Sequence, residues 1–290
     1  MVRYQGMVIR PPSEADSLII QITLGCSHNK CTFCGTYPDK SFKKRSLEEV
    51  YEDIDSVAPY ADSITRVFLA DGDAMILPTP HLKKILERLN SSFPNLQRVG
   101  IYSNARDLLK KDSSELEELR NLKLGIGYIG LESGSDEILR RINKGATAQE
   151  QIDAVRKAQA AGIKMSVIAI LGIGGRKLSK EHAEKTAWAL NEMQPRFASF
   201  LTLMLVPGTE LAQQHGRGEF ELLEPVEFLT ELREIVRNLE LKKTVFRTNH
   251  ASNFLALGGT LPRDKYKILA ELDRGIKGEA PLRPEFFRGL

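Results

Sequence analysis

Short apolar runs alternate with amphipathic stretches along most of the chain. The first run, residues 17–24 (Ser-Leu-Ile-Ile-Gln-Ile-Thr-Leu), reads as a strand that ends at the turn residue Gly25. Further strands are expected at Arg66–Ala70, Val99–Ser103, Leu124–Leu131, Lys164–Gly172 and Ser199–Val206, the last stopped by Pro207-Gly208. Helical spacing fills the intervals. Ser46-Leu47-Glu48-Glu49 is a capping box opening a helix with the apolar stripe Leu47, Val50, Ile54 and Val57. A second helix is expected from about Pro80 to Leu89, and Thr147-Ala148-Gln149-Glu150 opens another that closes at Gly162. Six such βα units predict an α/β fold, a partial (β/α)6 barrel, with reactive groups on the loops at the C-terminal ends of the strands.

The rhythm changes beyond about His215. Gly216-Arg217-Gly218 marks a break, followed by a helix carrying Phe228, Leu232, Ile235 and Leu239, then a strand-like Thr244-Val245-Phe246-Arg247. The expected organisation is an N-terminal segment over 1–16, the barrel over 17–215, and a C-terminal extension over 216–290 that closes the barrel mouth.

Composition narrows the function classes. Hydrophobic residues make up 42% and charged residues 27%, an ordinary globular balance, and no apolar run approaches the roughly 18–20 residues that span a bilayer. The first residues show no apolar stretch of the signal type, so a cytoplasmic location and no membrane partner are expected. A formal net charge of +3 does not argue for nucleic acid, and no nucleic-acid module is evident.

All three cysteines, Cys26, Cys31 and Cys34, fall within nine residues on the loop after the first strand, spaced C-x4-C-x2-C. Three thiolates can hold three irons of a [4Fe–4S] cube and leave the fourth open to a ligand that is not protein. An odd cysteine count disfavours a disulfide framework. A non-enzymatic metal-binding or regulatory protein, with a structural zinc or iron–sulfur site, is the alternative. For zinc the fourth ligand would be His28, which cannot easily fold back two residues onto the metal of Cys26.

With Phe33 just before the last cysteine, the triad resembles that of the radical S-adenosylmethionine superfamily, with one residue more than the usual C-x3-C-x2-C. The resemblance implies a [4Fe–4S] cluster and S-adenosyl-L-methionine as cofactors. It implies an oxidoreductase or transferase that reductively cleaves S-adenosylmethionine to a 5′-deoxyadenosyl radical, which takes hydrogen from an unidentified substrate. Asp71-Gly72-Asp73 stands where the family receives the methionine amino group, with a shorter carboxylate. Glu132 and Lys144, twelve positions apart, resemble the ribose and carboxylate contacts of the oxygen-independent coproporphyrinogen oxidase branch, lysine replacing arginine. Ile170 and Gly172 match the adenine-binding strand, though the usual later acid is missing. Phe33 would wall the adenine, and Ser103 ends the third strand in the same set.

Two further expectations concern partners. Arg247, Asn249, His250 and Asn253 concentrate polar groups that are costly to bury unpaired, so they are expected to line the substrate side. The basic segment Lys40-Ser41-Phe42-Lys43-Lys44-Arg45 is expected to dock a flavodoxin or ferredoxin as electron donor.

Overall fold

The computed structural model describes residues 2–37 and 40–289. Along the chain run β1 (Leu18–Gln21), β2 (Thr23–Leu24), β3 (Lys43–Lys44), α1 (Leu47–Asp55), β4 (Arg66–Ala70), α2 (Thr79–Ser92), β5 (Arg98–Tyr102), α3 (Ala105–Lys110), α4 (Ser113–Asn121) and β6 (Leu124–Glu132). They are followed by α5 (Asp136–Arg141), α6 (Ala148–Ala160), β7 (Lys164–Leu171), α7 (Gly175–Met193), β8 (Phe197–Thr202), α8 (Glu210–Gly216), α9 (Pro225–Asn238), β9 (Thr244–Arg247), β10 (Gly258–Leu261) and α10 (Lys265–Ile276). Two compact units emerge. The first comprises Met1–Asn29, Thr36–Ile129 and Ala154–Met165; the second comprises Lys30–Gly35, Gly130–Asp153 and Ser166–Leu290.

In the first unit β1, β4, β5 and β6 pair successively and in parallel, Leu18 opposite Val67, Val67 opposite Val99, and Ile101 opposite Gly127. Strand β4 is apolar at four successive positions, Val67 to Ala70, all without solvent exposure. Parallel strands covered on both faces read as such continuous runs. Helix α1 buries Val50 and Ile54, and α2 buries Leu82, Ile85, Leu86 and Leu89. Both expected capping boxes form: the Ser46 hydroxyl accepts from the Glu49 N–H, and the Thr147 hydroxyl accepts from the Glu150 N–H.

The segment before β1 is tied in by charge. Glu14 is fully buried and meets Arg98 Nη2 at 2.6 Å and the hydroxyls of Ser17 and Tyr128. A short antiparallel pair, Thr23 opposite Lys44 and Leu24 opposite Lys43, brackets the loop that carries the cysteines. The lysines give no strand signal, so this pair comes from tertiary pairing alone. Arg45 departs from the basic surface expected of it. Its guanidinium is buried, with Nη1 2.6 Å from Asp53 and 2.8 Å from the Gln21 carbonyl, so the exposed cations there are Lys43 and Lys44.

In the second unit β7 pairs in parallel with β8, and β8 with β9, while β10 returns antiparallel to β9. Helix α9 packs on α7 and α10 and buries Phe228, Leu232, Ile235 and Val236. Strands β1, β4, β5 and β6 are parallel in the first unit and β7, β8 and β9 in the second, with helices between most of them, so the fold is mostly parallel α/β as expected.

Candidate cofactor site

Strand β1 and its two-residue continuation deliver Gly25 in the left-handed region, φ 70°, and the chain turns into the cysteine loop there. All three cysteines are half-buried. Cys26 lies beside Gly72: a Cβ at Gly72 would sit 3.0 Å from the Cys26 Cβ and 2.5 Å from the Tyr37 ring, so that close approach requires glycine. Asn29, within the longer arm between Cys26 and Cys31, has φ 40° and donates from Nδ2 to the Tyr37 carbonyl at 2.9 Å. The Cys31–Cys34 half is held separately. Its turn closes with the Cys34 N–H donating to the Cys31 carbonyl, and Thr32 exchanges backbone bonds with Ile142 and Leu211. Phe33 is half-exposed and stands outside the core.

Among the described residues no three His, Cys, Asp or Glu side chains converge as a single metal ion would require. The thiolates of an iron–sulfur cube bind different irons and need not converge on one point. Three half-buried thiols on a loop with hydrogen-bonded backbone suit that cluster better than one zinc ion.

The turn after β4 carries Asp71-Gly72-Asp73. Asp71 is fully buried, and its Oδ2 accepts from the Gly25 N–H at 2.9 Å and from Gln21 Nε2 at 3.1 Å, with Lys40 Nζ 3.5 Å away. It thus fixes the entry to the cysteine loop. Asp73, also fully buried, accepts from the Ser27 hydroxyl, to which Arg106 Nη2 donates at 2.8 Å. Asp107, from α3, completes the cluster. Oδ1 of Asp73 and both oxygens of Asp107 accept no hydrogen bond, although the Arg106 guanidinium lies 3.6 Å from Asp73 Oδ2 and 3.5 Å from Asp107 Oδ1. Burial, then the neighbouring Asp107, holds the Asp73 carboxyl above the usual carboxylate range. Two adjacent buried acids with unfilled acceptor positions suit an ammonium group, which supplies three donors and a compensating charge. Arg106 and Asp107 escaped sequence reading because nothing in the pattern of α3 marks them. Ser103 is buried at the end of β5 and donates its hydroxyl to the Tyr128 carbonyl at 3.1 Å.

Within the second unit, Glu132 ends β6 at φ 59°, a left-handed conformation uncommon for a residue with a Cβ. Its carboxylate meets Lys144 Nζ at 2.7 Å, each side chain only about a tenth exposed. A Cβ at Gly130 would lie 2.1 Å from Glu132 Oε1, so this glycine makes room for the pair. The two residues expected to share a ligand are therefore neighbours. At the end of β7, Ile170 is half-buried and Gly172 buried, with φ 78° and the Phe228 ring where its Cβ would be.

The four residues assigned to substrate diverge. Asn253 is buried, accepting from the Thr202 hydroxyl at 2.9 Å and donating to the Phe200 carbonyl at 2.9 Å, which fastens its loop to β8. His250 is half-buried, its Nδ1 accepting from the Ser252 N–H at 3.1 Å. Burial, helped by Arg283, lowers its pKa. Arg247 and Asn249 are exposed, and Arg247 folds back to donate to the Phe246 carbonyl at 3.0 Å.

The sequence matches the Radical SAM superfamily over residues 20–187. The chain belongs to that superfamily: it is a radical S-adenosylmethionine enzyme, with a [4Fe–4S] cluster and S-adenosylmethionine as cofactors. It is similar to an uncharacterised methyltransferase of Pyrococcus horikoshii, 26% identical over 67% of this chain and 40% of that protein. It is also similar to the 4′-phospho-dehydrooxetanocin synthase of Priestia megaterium, 22% identical over 52% of this chain and 23% of that one. The chain thus spans less than half the length of either relative. Among solved structures it shares its fold with the coproporphyrinogen III oxidase of Escherichia coli, at TM-score 0.58, 18% identity, and 76% and 51% coverage of the two chains. The radical S-adenosylmethionine methyltransferase of Kitasatospora setae, solved with cobalamin and a [4Fe–4S] cluster, matches at TM-score 0.53, 21% identity, and 68% and 39% coverage.

Proposed function

We propose that Cys26, Cys31 and Cys34 hold the cluster and that the loops after β4, β6 and β7 hold S-adenosylmethionine. When bound, these groups supply reductive cleavage of the sulfonium to methionine and a 5′-deoxyadenosyl radical, which abstracts hydrogen from a substrate. The chain's own residues position and shield. The observation carrying the reading is the buried Asp73–Asp107 pair, whose open acceptors call for an ammonium close to the start of the cysteine loop. Lys144 offers the substrate-independent cation for a carboxylate, and Glu132 offers acceptors for a ribose diol. Gly172, at φ 78°, turns the chain at the end of β7, the strand that resembles the family's adenine-binding strand.

Methyltransferase names among the relatives support group transfer to the substrate. Lys43 and Lys44, both exposed, suit docking of an acidic flavodoxin or ferredoxin, and Arg247 and Asn249 suit the substrate side. The test is anaerobic reconstitution followed by reduction in the presence of S-adenosylmethionine. Iron near four per chain and formation of 5′-deoxyadenosine plus methionine are expected, both lost in the Cys→Ala variants at 26, 31 and 34. A colourless zinc protein that forms neither product would refute the proposal in favour of a structural metal site.

A further inference from the structure

Glu231, on α9, is a buried acid of the second unit, 3% exposed. Its Oε1 accepts from the backbone N–H of Gly172 at 2.6 Å, and its Oε2 accepts from the Ser179 hydroxyl of α7 at 2.5 Å. His182, fully buried on α7, places Nε2 3.7 Å from the same Oε1. On its other side His182 Nδ1 lies 2.9 Å from the Ser133 hydroxyl and 3.3 Å from that of Thr186. Thr186 in turn accepts from the Gly134 N–H at 3.0 Å. Polar groups from two helices thus reach Gly172 at the end of β7 and, at the end of β6, the two residues directly after Glu132.

This arrangement is costly for packing alone. A carboxyl and an imidazole without solvent give up hydration that an apolar pair of the same volume would not need. Burial holds His182 down at about 3, so the ring is neutral, and raises Glu231 to about 7. What the cost secures is backbone geometry. Gly172 stands in the left-handed region with the Phe228 ring 2.2 Å from its missing Cβ, so no side chain of its own can hold it. Its N–H is anchored by Glu231 instead, a residue 59 positions away in the chain.

We propose that Glu231 is a positioning residue for cofactor binding: it sets the Gly172 turn and, through His182 and Ser133, braces the turn beside Glu132 in the geometry that receives the adenosine half of S-adenosylmethionine. This rests on assigning those two strand ends to the cofactor. It adds a carboxylate supplied by α9, outside the matched residues 20–187.

The test is equilibrium dialysis of the anaerobically reconstituted protein, without reductant, against S-adenosylmethionine and against 5′-methylthioadenosine, which lacks the amino-acid end. Glu231→Gln keeps an acceptor for Gly172 and a donor for Ser179, so its affinities should stay within about threefold of the unsubstituted chain. Glu231→Leu should bind both ligands roughly tenfold more weakly, with iron content unchanged. Should the leucine variant not fold, Ser179→Ala decides, because it releases one carboxylate oxygen: weaker binding of both ligands and faster hydrogen exchange at the Gly172 amide are expected. Unchanged affinity in the leucine variant, or in Ser179→Ala, would overturn the positioning role, as would a glutamine variant as weak as leucine. Failure of the unsubstituted protein to bind either ligand would refute the cofactor assignment itself, a result distinct from these.

Discussion

Asn29 shows how much one position can carry. The longer arm of the cysteine motif could have been a passive spacer, but Asn29 takes φ 40° and its amide holds the Tyr37 carbonyl. Asparagine tolerates that conformation far better than a β-branched residue. Asn29→Val, or deletion of Asn29, is expected to cost about 2 kcal/mol and to lower the iron retained after reconstitution, measured by urea unfolding and iron assay. Full iron retention in the deletion would show that the loop absorbs the extra residue. The Glu132–Lys144 pair makes a second case. Because both side chains are only about a tenth exposed, Lys144→Met leaves a desolvated carboxylate and should cost about 3 kcal/mol in urea unfolding. A loss below about 0.5 kcal/mol would mean the pair behaves as an exposed one.

Helices and strands were predictable to different degrees, and the reason is packing. Strands β4, β5, β6 and β7 sit within a residue of where apolar runs predicted them, because a run largely buried on both faces has no alternative partner but a core, whereas β8, alternately buried, runs Phe197–Thr202 and ends four residues before the predicted Val206. The first predicted strand appears as two short pieces, β1 and β2. Strand β10, Gly-Gly-Thr-Leu, has almost no propensity of its own and exists through antiparallel pairing with β9. The turn Glu132-Ser133-Gly134 depends on the close approach of α7. A Cβ at Gly134 would lie 2.0 Å from the Lys185 carbonyl oxygen, which is backbone and cannot rotate away. Gly134→Ala is therefore expected to cost roughly 3 kcal/mol or prevent accumulation of folded protein, and the thermal midpoint measures it. A midpoint within a degree of the parent would refute that contact.

Stability of the chain should carry the signature of Glu231 and His182, two of its buried titrating groups. Glu231, raised to about 7 from an ordinary 4.5, keeps a proton that the unfolded chain has already released, so stability falls as pH rises between those values. His182, lowered to about 3 from 6.5, acts oppositely: its contribution is complete above 6.5 and is lost as pH falls from there toward 3. The slopes oppose each other from about 4.5 to 6.5. Glu231→Gln removes one, so its unfolding free energy should climb more steeply with pH across that window than the parent's. An identical slope would mean that Glu231 is ionised in the folded protein. Saturation with S-adenosylmethionine at a hundred times its dissociation constant should add about 2.7 kcal/mol, visible as a higher thermal midpoint. Among the described residues no helix is long and apolar enough to cross a membrane.

The linear chain by itself determined the alternation of strand and helix, the capping boxes, the place of the cysteines, and the strand-end residues Asp73, Glu132 and Gly172. Such features depend on spacing along the backbone, which periodicity and local propensity express directly. Tertiary structure alone decided which polar residues meet. It paired Asp73 with Asp107, buried Arg45 against Asp53, drew Asn253 into the fastening of its loop, and brought Glu231 to Gly172. These partners lie from eight to 59 positions apart, and their polar groups are tolerable inside only because the fold supplies each with a partner that offsets the cost of desolvation. No local pattern can signal such a match, since the cost and the compensation sit on different parts of the chain.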